Sequence, residues 1–438
     1  MKKKIAIIGA SIGGLVAAAE LKYQGFEVSI IEKGSTIGGL YSSIDTPFGE
    51  QELGMHVLYL TNEHYKHLCD IFGKDVFDVF KGYKVDIAGT YNFGKLFFNS
   101  CYPDIRDFKL REQIFEEIKL NYKNKIVPKN AKDIFKKKFG EIAENQIFSP
   151  ILEKLWKQKS KNLSCGSIFC FCDLRRVVIC EKAEADVLKK DIWFDQVIGN
   201  PLQDKPSGLV FDGRLGVRFK KDIGQLLSRV KIWLKKNKVS IYYNAEVKIK
   251  NNKLLLNNKL FSNEFDGCIV SSPLASIIES SKESMNFLEL SFFYFELEND
   301  ISSFFPSYYV LCFDKKIKST RIVNYNAYDK DKEKFIISVE VMHEIGKSPD
   351  VDHIIKELKT IIPFAEIKSS YKTPLKLFLP IPSLKNQDFL TKNTDLLVAN
   401  NNTPLYFTGM RTDKGIFFSH TTIGLAHEAA LEYSKKFS

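Results

Sequence analysis

A short apolar run, Lys4-Ile5-Ala6-Ile7-Ile8, leads directly into Gly9-Ala10-Ser11-Ile12-Gly13-Gly14. No other stretch of the chain constrains the fold as much. The run is too short for a helix and apolar throughout, as a parallel strand buried on both faces must be. Val16-Ala17-Ala18-Ala19-Glu20-Leu21 then favours a helix ending before Gly25, and Glu27-Val28-Ser29-Ile30-Ile31 predicts a second strand that stops at Glu32. Strand, glycine turn, helix, strand and acid in that order form a dinucleotide-binding βαβ unit. The glycines Gly9, Gly13 and Gly14 permit a tight turn and close backbone approach. The helix N-terminus offers free N–H groups and its positive end to a pyrophosphate. Ser11 stands where a second glycine is usual; its side chain is small and has a hydroxyl to donate. Glu32 is placed to accept from a ribose diol.

The chain of 438 residues is long enough for two or three domains. Its 44% hydrophobic content is ordinary for a globular protein, and no apolar run reaches the length of a membrane-spanning helix. Only the short strand Lys4 to Ile8 lies between the basic Lys2-Lys3-Lys4 and the turn, so no signal peptide is expected. The eight cysteines form no C-x-x-C pair. We expect free thiols in a cytoplasmic protein and no metal site, with the Cys165 to Cys180 group packed in the core. The net charge of +11 is mostly lysine spread along the chain, without a nucleic-acid-binding motif. Such a surface attracts an anionic substrate and also suits an anionic membrane face. Nothing specifies an oligomeric state.

Further on, Asn62 to Phe72 predicts a helix, and Tyr83 to Phe98 a hairpin with Gly89-Thr90 at one end. Apolar spacing in Phe108 to Leu120 and Ala131 to Trp156 predicts helices. Ala245 to Glu264 reads as a meander turning at Asn251-Asn252 and Asn257-Asn258. Asp266 to Pro273 reads as a further buried strand. The aromatic stretches Leu288 to Glu298, Tyr308 to Phe313 and Phe335 to Val341 predict a mixed sheet. Val351 to Ile362 predicts a helix, Thr403 to Gly409 a strand, and Thr421 to Lys435 a final helix.

The continuation Glu32-Lys33-Gly34-Ser35-Thr36-Ile37-Gly38-Gly39-Leu40 resembles the E-x-x-x-x-x-G-G extension of FAD-binding enzymes. Five later segments are similar, in order, to those of the flavoproteins that include UDP-galactopyranose mutase, protoporphyrinogen oxidase and the amine oxidases. These are Gly54-Met55-His56-Val57-Leu58; Phe139-Gly140 through Trp156 to Leu163-Ser164, followed by Arg175-Arg176; Ser319-Thr320-Arg321-Ile322; Leu379-Pro380-Ile381; and Phe407-Thr408-Gly409-Met410-Arg411 with Phe417-Phe418-Ser419-His420-Thr421-Thr422.

The resemblance implies an α/β fold: a Rossmann-like FAD-binding domain from residues 1–80, 212–285 and 395–438, an inserted helical cap at 99–200, and a mixed-sheet substrate domain from 81–98 and 286–394. It implies FAD as cofactor, held by Gly9, Ser11, Gly13, Gly14, Glu32, Lys33, Gly38, Gly39, Leu40, His56, Val247, Gly409, Met410, Arg411, Ser419 and Thr421. It also implies a nucleotide sugar or other anionic small molecule as substrate, bound by Arg175, Arg176, Arg321, Trp156 and Phe418. His56 and Arg321 are the candidates for a part in the chemistry. In the mutases reduced flavin attacks the anomeric carbon and the arginines steady the departing diphosphate. The alternative is an oxidoreductase taking a hydride from a C–N or C–C bond, for which the aromatic run Phe292-Phe293-Tyr294-Phe295 offers an apolar site. A third reading is a non-catalytic flavin-binding or partner-binding protein. The family's terminal tyrosine and Met-Asp are Phe418 and Thr421-Thr422 here, so no particular sugar follows.

Overall fold

The computed structural model describes residues 3–437 apart from 55–57, 61, 78–79, 84–87, 99–101, 125, 171–176, 202–214, 220–222, 252, 258, 261–263, 280–283, 329–332, 402 and 409–418. The opening strand, Lys4–Ile8, is central in a five-stranded sheet. The order is Ser240–Tyr242, Glu27–Ile31, Lys4–Ile8, Gly267–Val270, Leu405–Phe407, and every pairing is parallel. Alternation along the strand divides its side chains between two cores. Ile5 and Ile7 pack against the first helix (Ile12–Tyr23), the helix Ile223–Lys236 and the final helix (Ser419–Phe437). Ala6 and Ile8 pack on the other side against the meander and the helix Leu384–Asn400. Both faces are covered, which is why the strand is apolar without interruption.

The meander pairs Val247–Lys250, Lys253–Leu256 and Lys259–Leu260. Asn251 and Asn257 take left-handed φ of 50° and 47° at its turns, a conformation that asparagine tolerates better than most residues.

An eight-stranded mixed sheet forms the second layer, built around the long strand Phe287–Leu297. Phe293, Phe295 and Leu297 face the helix Val351–Ile361. Leu288, Phe292 and Tyr294 face the helical region. All four residues of Phe292-Phe293-Tyr294-Phe295 are thus core, which removes them as an exposed substrate cage.

Several expectations change at this level. The hairpin joins Ala88–Asn92 to Lys95–Phe97 and turns at Phe93 and Gly94, both at positive φ. Gly89 and Thr90 lie inside its first strand. Strand Phe80–Tyr83 pairs with Leu215–Phe219 in a separate small sheet, so a boundary at 81 cuts that strand. The stretch Ala131 to Trp156 is one path but not one helix. Gly140 (φ 89°) breaks it where a side chain would meet the Glu117 carboxylate, and Glu117 accepts from the Ile142 N–H at 3.0 Å. A π-turn at Glu144–Phe148 follows. The helix Leu384–Asn400 went unread, and the boundary at 394 falls inside it. Its buried positions are Asn386, Leu390, Thr394 and Leu397, a helical stripe half disguised by polar residues. Asn386 is buried because its amide donates to Asn286 O and Ile381 O.

Candidate functional site

The glycine turn is held as a rigid corner. Gly9, at φ 95°, donates its N–H to Ile31 O at 2.8 Å. Gly14 packs so closely over it that a Cβ there would lie 2.0 Å from Gly9 O. Ser11 occupies the N-cap of the first helix, yet its side chain makes no capping bond and instead meets Ser271 Oγ at 2.8 Å. No acidic residue stands in the helix's first turn, so its own sequence does not neutralise its positive end. A Cβ on Gly13 would approach the Thr422 methyl at 2.7 Å, which brings the start of the final helix against the same turn. Beside it the buried Thr408 Oγ1 has no hydrogen-bond partner among the described residues. An uncapped helix N-terminus beside an orphaned hydroxyl is a polar cradle that fits a pyrophosphate.

Glu32 closes this end. One carboxylate oxygen accepts from Ala10 N and the other from Gly34 N, both at 2.7 Å. Each oxygen keeps a second lone pair, so the acid that orders the two loops still has room for a ribose hydroxyl. Gly38 donates to Ala10 O at 2.8 Å and bridges to Ser11. Gly39 follows at φ 60°, and Leu40 is left 46% exposed. Gly9, Ser11, Gly13, Gly14, Glu32 and Gly38 therefore meet at one place. Lys33 instead extends outward to Glu246 at 2.8 Å. Val247 is buried in the meander core, and it comes near the site through the backbone bond from Ala245 N to Glu32 O. Thr421 lies in the first turn of the final helix; Ser419 opens that helix.

At the other layer, Arg321 begins a strand and directly faces Glu340 in the antiparallel register. Its Nε and Nη2 both donate to Glu340 Oε1, at 2.8 and 2.6 Å. A Cβ on Gly54 would sit 3.1 Å from Nη2, so the pair abuts the chain just before His56. Burial opposes the Arg321 charge, and the Glu340 carboxylate more than offsets it, holding the guanidinium pKa above its usual value. The loop entering this strand is tied down twice. Glu357 accepts from the Lys318 and Ser319 N–H groups and from Ser319 Oγ. Thr320 donates its N–H to Glu340 O and accepts from Met342 N. Tyr294 and Tyr325 both donate to Glu52 O, fixing the approach to Gly54 from the opposite side.

Trp156 is 3% exposed within the main hydrophobic cluster, which makes it a packing residue of the helical region. Nearby, burial pushes the Lys154 ammonium down to about 8; its Nζ donates to Cys312 O and to Ser319 O. His56, Arg175, Arg176, Gly409, Met410, Arg411 and Phe418 lie outside the described residues. Sequence reasoning missed Glu340, Glu357 and Thr408. Glu340 is identifiable only from strand register, whereas Thr408, directly before the Gly409 segment, was within reach.

Residues 7–73 match the NAD(P)-binding Rossmann-like domain family. Two curated relatives match within part of their length. Bilirubin reductase of Mediterraneibacter gnavus is 37% identical over 62 residues, 14% of this chain and 10% of that protein. A 4,4'-diapophytoene desaturase of Staphylococcus aureus is 35% identical over 75 residues, 17% of this chain and 15% of that protein. Solved structures match throughout. Reduced UDP-galactopyranose mutase superposes with a TM-score of 0.72 at 14% identity, covering 100% of this chain and 96% of that one. This is the fold of the FAD-dependent flavoproteins. A putative protoporphyrinogen oxidase from Exiguobacterium sp. 255-15 shares it, with a TM-score of 0.65 at 12% identity over 100% and 99% of the two chains. The polar cradle at Gly9 to Gly14 lies within the residues that match the Rossmann-like family, at the C-terminal end of a central parallel strand. Among the described residues no helix is long and apolar enough to cross a membrane.

Proposed function

We propose that this chain is an FAD-dependent enzyme acting on a diphosphate-bearing substrate, in the manner of a nucleotide-sugar mutase. The observation that carries the reading is Arg321. It is a guanidinium fixed by Glu340 beside Gly54, with Nη1 making no hydrogen bond among the described residues. A planar fork held on one edge and open on the other suits a phosphate oxygen.

When bound, FAD supplies a ring that exchanges two electrons or, once reduced, acts as a nucleophile. The chain's own residues do the remaining work. The N–H groups of the first helix, with Ser11 and Thr408, hold the pyrophosphate, and Glu32 orients the ribose. The Gly38-Gly39 loop and the start of the final helix, Ser419 and Thr421, would help hold the flavin. His56, Gly409, Met410 and Arg411 are assigned to the flavin on their sequence resemblance alone. Arg321, joined by Arg175 or Arg176, binds the substrate diphosphate and stabilises negative charge as it departs. Glu340 positions Arg321 and keeps the pair's net charge near zero until an anion arrives. This reading implies a cytoplasmic role in polysaccharide biosynthesis.

The matches to bilirubin reductase and the desaturase favour a second reading, an oxidoreductase acting on a C–N or C–C bond. One titration separates the two. UDP-sugars are titrated into the FAD-loaded protein with the flavin oxidised, then dithionite-reduced. The mutase reading expects binding that tightens on reduction and weakens by about 10- to 100-fold in Arg321→Ala, the loss of a charge-assisted hydrogen bond or two, with FAD retained. Indifference to every UDP-sugar in both redox states removes that reading and leaves the oxidoreductase.

A further inference from the structure

The first helix carries one residue that the dinucleotide site does not explain. Val16, Ala17, Ala18, Ala19 and Leu21 are fully buried, and Glu20 among them is 2% exposed. A carboxylate in such a stripe costs several kcal/mol unless its charge is met. Two other helices each direct an imidazole at it. His427 Nδ1, from the final helix, lies 2.7 Å from Glu20 Oε1, and His67 Nε2, from the helix Asn62–Phe72, bonds the same oxygen. The two rings pack edge to face with centroids 4.4 Å apart. All three donor atoms fall within 4.8 Å of one another.

We propose that Glu20, His67 and His427 form a divalent transition-metal site of the zinc class, clamping three helices. Two imidazoles and one carboxylate are a ligand set that Zn²⁺ and Co²⁺ accept. A tetrahedral ion with bonds near 2.0–2.2 Å spaces its ligands by roughly 3.3 Å, so small side-chain rotations suffice to admit it. The two imidazoles give this carboxylate hydrogen bonds, and a dication held among the three would add a countercharge. The histidine side chains are each 32% exposed, which leaves an entry path and an outer coordination position for water. Glu20 stands eight residues beyond Ile12, roughly 12 Å along the helix, so this site is separate from the pyrophosphate cradle. Its role is structural: it ties the first helix to the final helix, and the N-termini of both open onto the cradle. The residues are 20, 67 and 427, with no motif spacing, and only tertiary packing brings them together.

The test uses untagged, full-length protein, stripped with chelator and titrated with Co²⁺. The expected result is one equivalent bound, with the d–d absorption of a low-coordinate site, displaced by Zn²⁺, and a Zn²⁺-dependent rise in melting temperature. His67→Ala, His427→Ala and the near-isosteric Glu20→Gln each weaken Co²⁺ binding by more than about tenfold, with far-UV circular dichroism confirming the fold. His353→Ala, whose histidine pairs with Glu357 elsewhere, retains wild-type binding. Absence of a stoichiometric site at micromolar Co²⁺, or an unchanged site in the His67→Ala/His427→Ala double variant, overturns the proposal.

Discussion

Replacing Gly14 with alanine tests whether the first turn is built by close approach rather than by backbone freedom. Gly14 has no positive φ, so alanine is conformationally acceptable there. The obstacle is space: the new Cβ lies 2.0 Å from Gly9 O and 3.2 Å from the Ile7 side chain. Real Cβ atoms essentially never come closer than 3.0 Å, so helix and turn must separate by about 1 Å at this point. The blocking atom is a backbone carbonyl in a turn tied to Ile31 at 2.8 Å, and it cannot swing aside as a side chain would. Overpacking of this kind costs about 1–3 kcal/mol. The same displacement moves the helix N–H groups away from the pyrophosphate cradle. Gly25→Ala is the matched control, since its Cβ meets nothing within 4 Å while its φ is +91°; it costs about 1–2 kcal/mol from backbone strain alone. Both variants are measured by urea denaturation of the apoprotein and by flavin absorbance per chain after loading with FAD. Gly14→Ala is expected to lose stability and most bound flavin, and Gly25→Ala stability only. Full flavin occupancy in Gly14→Ala, with an unchanged urea midpoint, refutes the close-approach argument.

Two further perturbations probe the second layer. The Lys154 pKa is depressed to about 8 from 10.5, so between those values the unfolded chain holds more protons and this group's contribution to stability rises with pH. Wild type should gain about 1.3 kcal/mol on Lys154→Met between pH 7 and pH 9, read from urea melts of the two proteins in parallel; equal pH slopes would exclude a depressed lysine. Glu357→Ala removes the acceptor for two backbone N–H groups and the Ser319 hydroxyl. It should cost about 2–4 kcal/mol and weaken UDP-sugar binding through Arg321 without reducing flavin content. Loss of flavin in step with stability would instead assign Glu357 a global role.

The sequence alone determined the opening Rossmann-like unit of this protein. Its signals are local: an apolar strand, a glycine turn with Ser11 inside it, a helix and Glu32 all fall within forty residues, and each is dictated by backbone sterics or burial of a single element. Asn251 and Asn257 were legible for the same reason, because a left-handed turn is a property of one residue. The tertiary structure decided what depends on residues far apart. Strand register pairs Arg321 with Glu340, and sheet order places Thr408 beside Gly13. The burial of Phe292 to Phe295 follows from helices packed on both faces of their strand. The helix at Leu384 escaped notice because Asn386 and Thr394 are buried by hydrogen bonding, which a hydrophobic pattern does not register. Glu20 is the sharpest case. In sequence it is an ordinary polar residue in a helix; in the fold it is a buried carboxylate that two distant histidines meet.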